Sequence, residues 1–207
     1  LAALTRRYPL MRGGGKLSNL PPMRWLSASP KTVTAPLRDG SVLRVPINDY
    51  VGRPIFWTGD FDRRVSWALR RILRPGDRVL DIGANLGVYA VQAARRVGPK
   101  GCVHAIEPQP EVAALLEESL SLNGYGNTTV HRVGLSDHDG KAKLGYRADS
   151  IVQLDWCVGE LMKKVDELGI AENTLFVFCS DNGPVMDDGY KDFALEKLGS
   201  HDANGPF

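Results

Sequence analysis

The chain predicts an α/β fold built on a mostly parallel sheet. Three short apolar runs, Arg78–Ile82, Cys102–Ile106 and Thr128–Val133, alternate with two longer segments, Asn85–Val97 and Glu111–Asn123, whose apolar residues recur at helical spacing. Strand–helix–strand alternation of this kind implies right-handed crossovers and parallel neighbours. The first run leads into Asp81-Ile-Gly-Ala-Asn-Leu-Gly87, a glycine turn that opens a helix. Breakers fall where the alternation needs them, at Gly98-Pro-Lys-Gly101, Glu107-Pro108, Gly124 and Gly126.

In chain order, residues 1–31 carry Arg6, Arg7, Arg12, Lys16, Arg24 and Lys31 and no acid. With Gly13-Gly-Gly15 and Pro21-Pro22 they read as a basic, loosely packed arm. Thr32–Leu37 and Ser41–Ile47 flank Arg38-Asp-Gly40, and a DG turn between alternating apolar runs predicts a hairpin. Asp60 is placed to cap a helix from about Phe61 to Leu73, with Phe61, Val65, Ala68, Leu69 and Ile72 on its buried face. Pro75-Gly-Asp77 ends that helix and leads into the first parallel strand.

After Gly145 the pattern changes. Asp149 or Ser150 opens a long amphipathic helix to Leu168, with Ile151, Leu154, Val158, Leu161, Val165 and Leu168 on one face. Leu175–Cys179 reads as a short strand, and Ser180-Asp-Asn-Gly-Pro184 as a sharp turn at its end. Charge divides at the same place: residues 1–144 carry 21 Lys+Arg against 12 Asp+Glu, and residues 145–207 carry 5 against 12. That break suggests two segments of different history. The expected organisation is an arm over 1–31, a core over 32–144 and a separate fragment over 145–207.

Hydrophobic content of 43% and charged content of 24% suit a globular protein. Cys102, Cys157 and Cys179 are isolated thiols without CxxC or metal-ligand spacing, which fits reduced cysteines in a cytoplasmic protein better than a disulfide framework. No run reaches the roughly 18 apolar residues of a membrane span. No motif points to a specific nucleic-acid partner.

The candidate site is the glycine turn. Asp81 sits at the C-terminal edge of its strand, where open α/β sheets bind ligands, and Glu107 ends the next strand. A carboxylate at that second position can accept from both vicinal hydroxyls of a ribose. Gly83 and Gly87 leave room for the ligand, Gly83 being the stronger candidate for unusual backbone angles. A dinucleotide fingerprint reads GxGxxG, but this turn reads G-A-N-L-G, with Asn85 where a pyrophosphate would need glycine. An acid at the head of the turn suits a cationic, phosphate-free ligand, which favours S-adenosylmethionine over NAD. Glu107-Pro108 beside them weighs against the reading in which Asp81 and Gly83 only cap a strand-to-helix turn.

Asp81-Ile-Gly-Ala-Asn-Leu-Gly-Val-Tyr89, His104-Ala-Ile-Glu-Pro108 and Val130-His-Arg-Val-Gly-Leu-Ser-Asp-His-Asp-Gly140 together resemble the FkbM-type S-adenosylmethionine-dependent methyltransferases, over about residues 37–144. The resemblance implies a Rossmann-like class I methyltransferase core and O-methylation of a small-molecule acceptor, a sugar or natural-product hydroxyl. By position it implies Asp81, Gly83, Asn85 and Gly87 as the cofactor loop, Glu107 at the ribose and Val133–Leu135 beside the adenine. The family's next strand, with its acidic D-x-E-G segment, does not follow, so the core reads as truncated. His104, His131 and His138 have no supporting motif, and the catalytic base is unknown.

Asp149-Ser-Ile-Val-Gln-Leu-Asp-Trp-Cys-Val-Gly-Glu160 and Asn173-Thr-Leu-Phe-Val-Phe-Cys-Ser-Asp-Asn-Gly-Pro184 instead resemble the arylsulfatases of the alkaline-phosphatase-like superfamily, over about residues 145–207. That resemblance implies Asp181 and Asn182 as calcium ligands. Two oxygens fall short of the six to eight that calcium takes, and the family's C/S-x-P-x-R nucleophile segment does not occur in the chain. The sequence thus reads as a methyltransferase core joined to a sulfatase-like piece, with a calcium-binding sulfatase fragment or a non-enzymatic chimeric product as alternatives.

Overall fold

The structure is a computed structural model that describes residues 2–7, 14–134 and 147–177. It divides into two compact units, Leu1–Gly134 and Leu135–Phe207.

In the first unit, the basic N-terminal stretch is helical where an arm was expected. Helices α1 (Ala2–Thr5) and α2 (Gly14–Ser18) pack on α4 (Gly52–Thr58), and α3 (Pro21–Leu26) follows α2. The ties are specific. Thr5 Oγ1 donates to Trp57 O (2.5 Å), and the Arg6 guanidinium donates to Phe56 O (3.1 and 2.8 Å) while lying over the Phe56 ring. Trp57 Nε1 donates to Ser27 Oγ (2.8 Å). A residue-by-residue reading cannot see these ties, because the partners lie 30 to 52 positions apart.

The hairpin forms as expected, with β1 (Thr32–Pro36) antiparallel to β2 (Val42–Pro46) and Thr34 opposite Arg44. Gly40 takes φ +91° at the turn, and Asp39 accepts from the Ser41 N–H (3.0 Å). Helix α5 (Arg63–Ile72) starts later than expected. Its cap is Asp62, whose side chain accepts from Arg64 N (2.8 Å). Asp60 is buried instead and accepts from Ser66 Oγ (2.7 Å), which in turn accepts from Gln92 Nε2 (2.9 Å). Burial holds the Asp60 carboxyl above its usual range. This polar chain links α5 to α6 (Val88–Val97) across their contact.

Strands β3 (Arg78–Ile82), β4 (Cys102–Ile106) and β5 (Thr128–His131) form a parallel sheet in that order, Asp81 pairing with Ala105 and Ala105 with Val130. Strand β5 stops two residues short of the expected Val133. The connections are α6 and α7 (Pro110–Asn123). This β-α-β-α-β arrangement is one half of a doubly wound, Rossmann-like fold. Helix α7 also carries the hairpin. Asn123 Oδ1 accepts from Val42 N (2.9 Å), Asn123 Nδ2 donates to Val42 O (2.7 Å), and Ser119 Oγ accepts from Arg44 N (2.9 Å). Leu43, Val45, Ile55, Val91, Val97, Val103 and Leu116 are fully buried in one shared core. Each such side chain is worth roughly 1.5–3 kcal/mol of transfer free energy.

The described part of the second unit is α8 (Arg147–Glu167), closed by Gly169 at φ +66°, and a single 3-10 turn, Ala171–Asn173. The helix begins at Arg147 rather than Asp149 or Ser150. Val158, Leu161 and Val165 of the expected face are half-buried and Cys157 is buried, whereas Leu154 and Leu168 are exposed. Leu175–Val177 is irregular and exposed where a strand was expected; among the described residues no neighbouring strand takes up its N–H and C=O groups. Residues 178 and 179 lie outside the described residues. No helix among the described residues is long and apolar enough to cross a membrane.

Candidate cofactor site

The turn after β3 is built by backbone hydrogen bonds to its neighbour strand. Gly83 N and Ala84 N both donate to Ile106 O (3.0 and 2.9 Å), and Glu107 N donates to His131 O (3.0 Å). The C-terminal ends of all three strands are thereby joined. Two glycines and one asparagine carry the bend, with φ of +76° at Gly83, +51° at Asn85 and +87° at Gly87. Asn85 tolerates this angle because its Oδ1 accepts from Leu86 N (2.7 Å).

The two glycines differ in what fixes them. A Cβ on Gly83 would meet nothing within 4 Å, so only its backbone angle demands glycine. A Cβ on Gly87 would stand 2.1 Å from Leu116 Cδ1. Gly87 was expected to leave room for a ligand; its space is taken by α7, and it serves the contact between the α6 N-terminus and α7.

Glu107 is buried, and both of its oxygens face the main chain. Oε2 accepts from Asn85 N and Oε1 from Gln109 N, each at 2.9 Å. This carboxylate therefore ties the β4 end to the glycine turn. A carboxylate has about four lone-pair sites, so two acceptor sites remain for a ligand.

Asp81 is half-buried as a residue, but its Oδ2 is sealed from solvent without a hydrogen-bond partner. Its carboxyl is pushed up to about 6, chiefly by burial. The Ala90 N–H in the first turn of α6 opposes this shift, and the neighbouring Glu107 charge adds to it. Two carboxylates thus share one buried site, and the N-terminus of α6 already faces the protein's own acid. Two acids and an occupied helix N-terminus disfavour a further anion such as a pyrophosphate here.

His104 and His131 lie on the sheet face opposite Asp81, as their register with Leu80 and Ile82 requires, and their Nδ1 and Nε2 are 3.0 Å apart. Val133 is exposed just beyond β5. Leu135, His138, Asp181 and Asn182 lie outside the described residues. Among the described residues, no group of three or more His, Cys, Asp or Glu side chains is placed to hold a metal. Sequence reasoning missed the Gly87–Leu116 contact and the use of Glu107 by the backbone. The first has no local signal. The second had one, since an acid two residues before a free N–H often folds back onto it.

Fold and site together define a Rossmann-like α/β protein with an acid-headed glycine turn. The sulfatase family model matches residues 96–205, more than half of the chain, and the chain belongs to the sulfatase family. The match begins inside α6, well before the Gly145 expected from the C-terminal motifs alone, and runs through β4, α7 and β5. Among curated relatives, N-acetylgalactosamine-6-O-sulfatase of Bacteroides thetaiotaomicron is 49% identical over 82 residues, 40% of this chain and 16% of the relative. Protein-L-isoaspartate O-methyltransferase of Ignicoccus hospitalis is 47% identical over 58 residues, 28% of each chain. The chain thus spans under a third of either relative. Among solved structures, an S-adenosylmethionine-dependent O-methyltransferase of Thermotoga maritima superposes with a TM-score of 0.37 at 19% identity, covering 72% of this chain and 71% of that one. One chain therefore has similarity to both methyltransferases and sulfatases.

Proposed function

We propose that residues 32–144 form the S-adenosylmethionine-binding core of an O-methyltransferase of FkbM type. The observation that carries this reading is Asp81, a sealed carboxylate with one orphaned oxygen at the head of a glycine turn. A cationic ligand beside it would offset the effect of the burial that raises its pKa. When bound, S-adenosylmethionine supplies an electrophilic methyl group. Asp81 faces its ammonium, directly or through one water, Glu107 offers its remaining acceptor sites to the ribose, and Gly83 and Asn85 shape the bend. Methyl transfer otherwise asks for alignment of an acceptor oxygen, here the hydroxyl of a small molecule such as a sugar. The similarity to an O-methyltransferase over 58 residues supports the reading.

Calorimetry with S-adenosylmethionine on the full chain tests it. We expect Asp81→Ala to weaken binding at least tenfold, and equal heats in both proteins would end the proposal. Affinity should also rise with pH through about 6, as Asp81 loses its proton.

The sulfatase family match favours a second reading, a calcium-binding fragment holding its ion through Asp181 and Asn182. With two of six to eight oxygens and no C/S-x-P-x-R nucleophile, hydrolysis of an aryl sulfate with calcium present should be undetectable. Measured turnover would reverse the order of the two readings.

A further inference from the structure

The end of the sheet opposite the glycine turn gathers positive charge that neither reading uses. Helix α5 ends there, β3 begins there and α6 ends there. Arg96 Nε donates to Leu73 O (2.9 Å), Gly76 N donates to Val97 O (2.8 Å), and Arg78 pairs in register with Cys102. These ties bring residues 67–78 and 95–100 into one surface. The two stretches hold Arg70, Arg71, Arg74, Arg78, Arg95, Arg96 and Lys100 and one acid of their own, Asp77, whose Oδ2 accepts from Arg74 N (2.8 Å), while Asp39 lies near Arg95 and Asp60 near Arg70. All seven cations are exposed. Trp67 is 47% exposed, with the Arg71 guanidinium 4.6 Å from its ring centroid.

Cations near helix C-termini have an ordinary use, to complement the helix dipole. That accounts for Arg70 and Arg71 on α5 and for Arg95 and Arg96 on α6. It does not account for Arg74, Arg78 or Lys100, which lie outside both helices. Arg95 also has a local partner in Tyr125.

We propose that this surface binds the phosphate chain of a single-stranded nucleic acid. Three features favour that partner. Six of the seven cations are arginines, whose planar fork matches phosphate oxygens in pairs. A flat indole beside a guanidinium offers a stacking platform that unpaired bases can use. And the Arg71 guanidinium on one side of the ring makes the platform cationic, which suits a polyanion better than the apolar interior of a lipid layer. The surface lies at the far end of the sheet from Asp81, so the proposal stands independently of the cofactor reading.

Binding of fluorescent oligouridylate to the full chain, without cofactor, tests it over 50–200 mM salt. With about four phosphates engaged, the slope of log affinity on log salt should be near −2.8, an affinity loss of about fiftyfold over that range. Arg74→Gln with Arg78→Gln should reduce the slope by about 1.4, while Arg74→Lys with Arg78→Lys should keep it. Trp67→Ala should weaken binding about fivefold. Absent or salt-independent binding, an unchanged slope in the glutamine variant, or binding to phosphatidylserine vesicles in place of the oligonucleotide would each overturn the proposal.

Discussion

The two ends of the three-stranded sheet are built on opposite principles. At the C-terminal end, Asp81 and Glu107 are withdrawn from water and fixed to backbone N–H groups, and the turn between them is held by Ile106 O and by the Gly87–Leu116 contact. At the N-terminal end, Arg74, Arg78 and Lys100 stand in solvent. The same β-α-β unit thus has one end where position is dictated by packing and another where only charge is displayed. Substitutions at the first end should change folding, and those at the second should leave it almost untouched.

Gly87→Ala gives the largest expected effect. It combines a left-handed backbone angle with a 2.1 Å approach to Leu116, and the two costs together come to about 3 kcal/mol in urea unfolding. Asp81→Asn should act in the other direction. The Asp81 carboxyl titrates at about 6 when folded against an ordinary 3.8. The folded state therefore holds more protons between these values, and stability falls as pH rises through them. At neutral pH the charge costs about 3 kcal/mol, which the amide should recover, flattening the pH dependence of Tm between 4 and 6. A Tm profile that stays as steep in Asp81→Asn as in the parent would contradict the burial assigned to this group.

Glu107→Gln replaces one of two backbone acceptors with a donor and should cost about 1–2 kcal/mol. Gly83→Ala meets no neighbour and should cost only about 1 kcal/mol, from its backbone angle. A Gly83→Ala cost equal to that of Gly87→Ala would remove the distinction drawn between them. At the other end, Arg74→Gln with Arg78→Gln should change stability by less than about 0.5 kcal/mol.

Much of the first end was legible in the sequence. The strands, the bend at Gly83 and the adjacency of Asp81 and Glu107 all follow from local periodicity, turn residues and the ordering rules of parallel sheets. The reasons behind individual residues were less legible. Asp60 and Asp62 are two residues apart and equally able to cap, and only the burial of Ser66 and Gln92 decides between them. Gly87 faces Leu116, 29 positions on, and no spacing rule announces that contact. The cationic end was invisible as a motif because it is assembled from two stretches about twenty residues apart. In the second unit, the helix was legible from its apolar stripe, but Leu175–Val177 was not, since a strand depends on a neighbour that its own residues cannot specify.

Strand β3 has a further consequence. Among the described residues its sole sheet neighbour is β4, and Leu80 and Ile82 are 49% and 44% exposed. A border of this kind offers unpaired amides and greasy side chains to any extended peptide that meets it. Crowded solutions of the protein should therefore grow ribbons by edge-to-edge annealing, and a lysine at position 80 should keep the molecules apart.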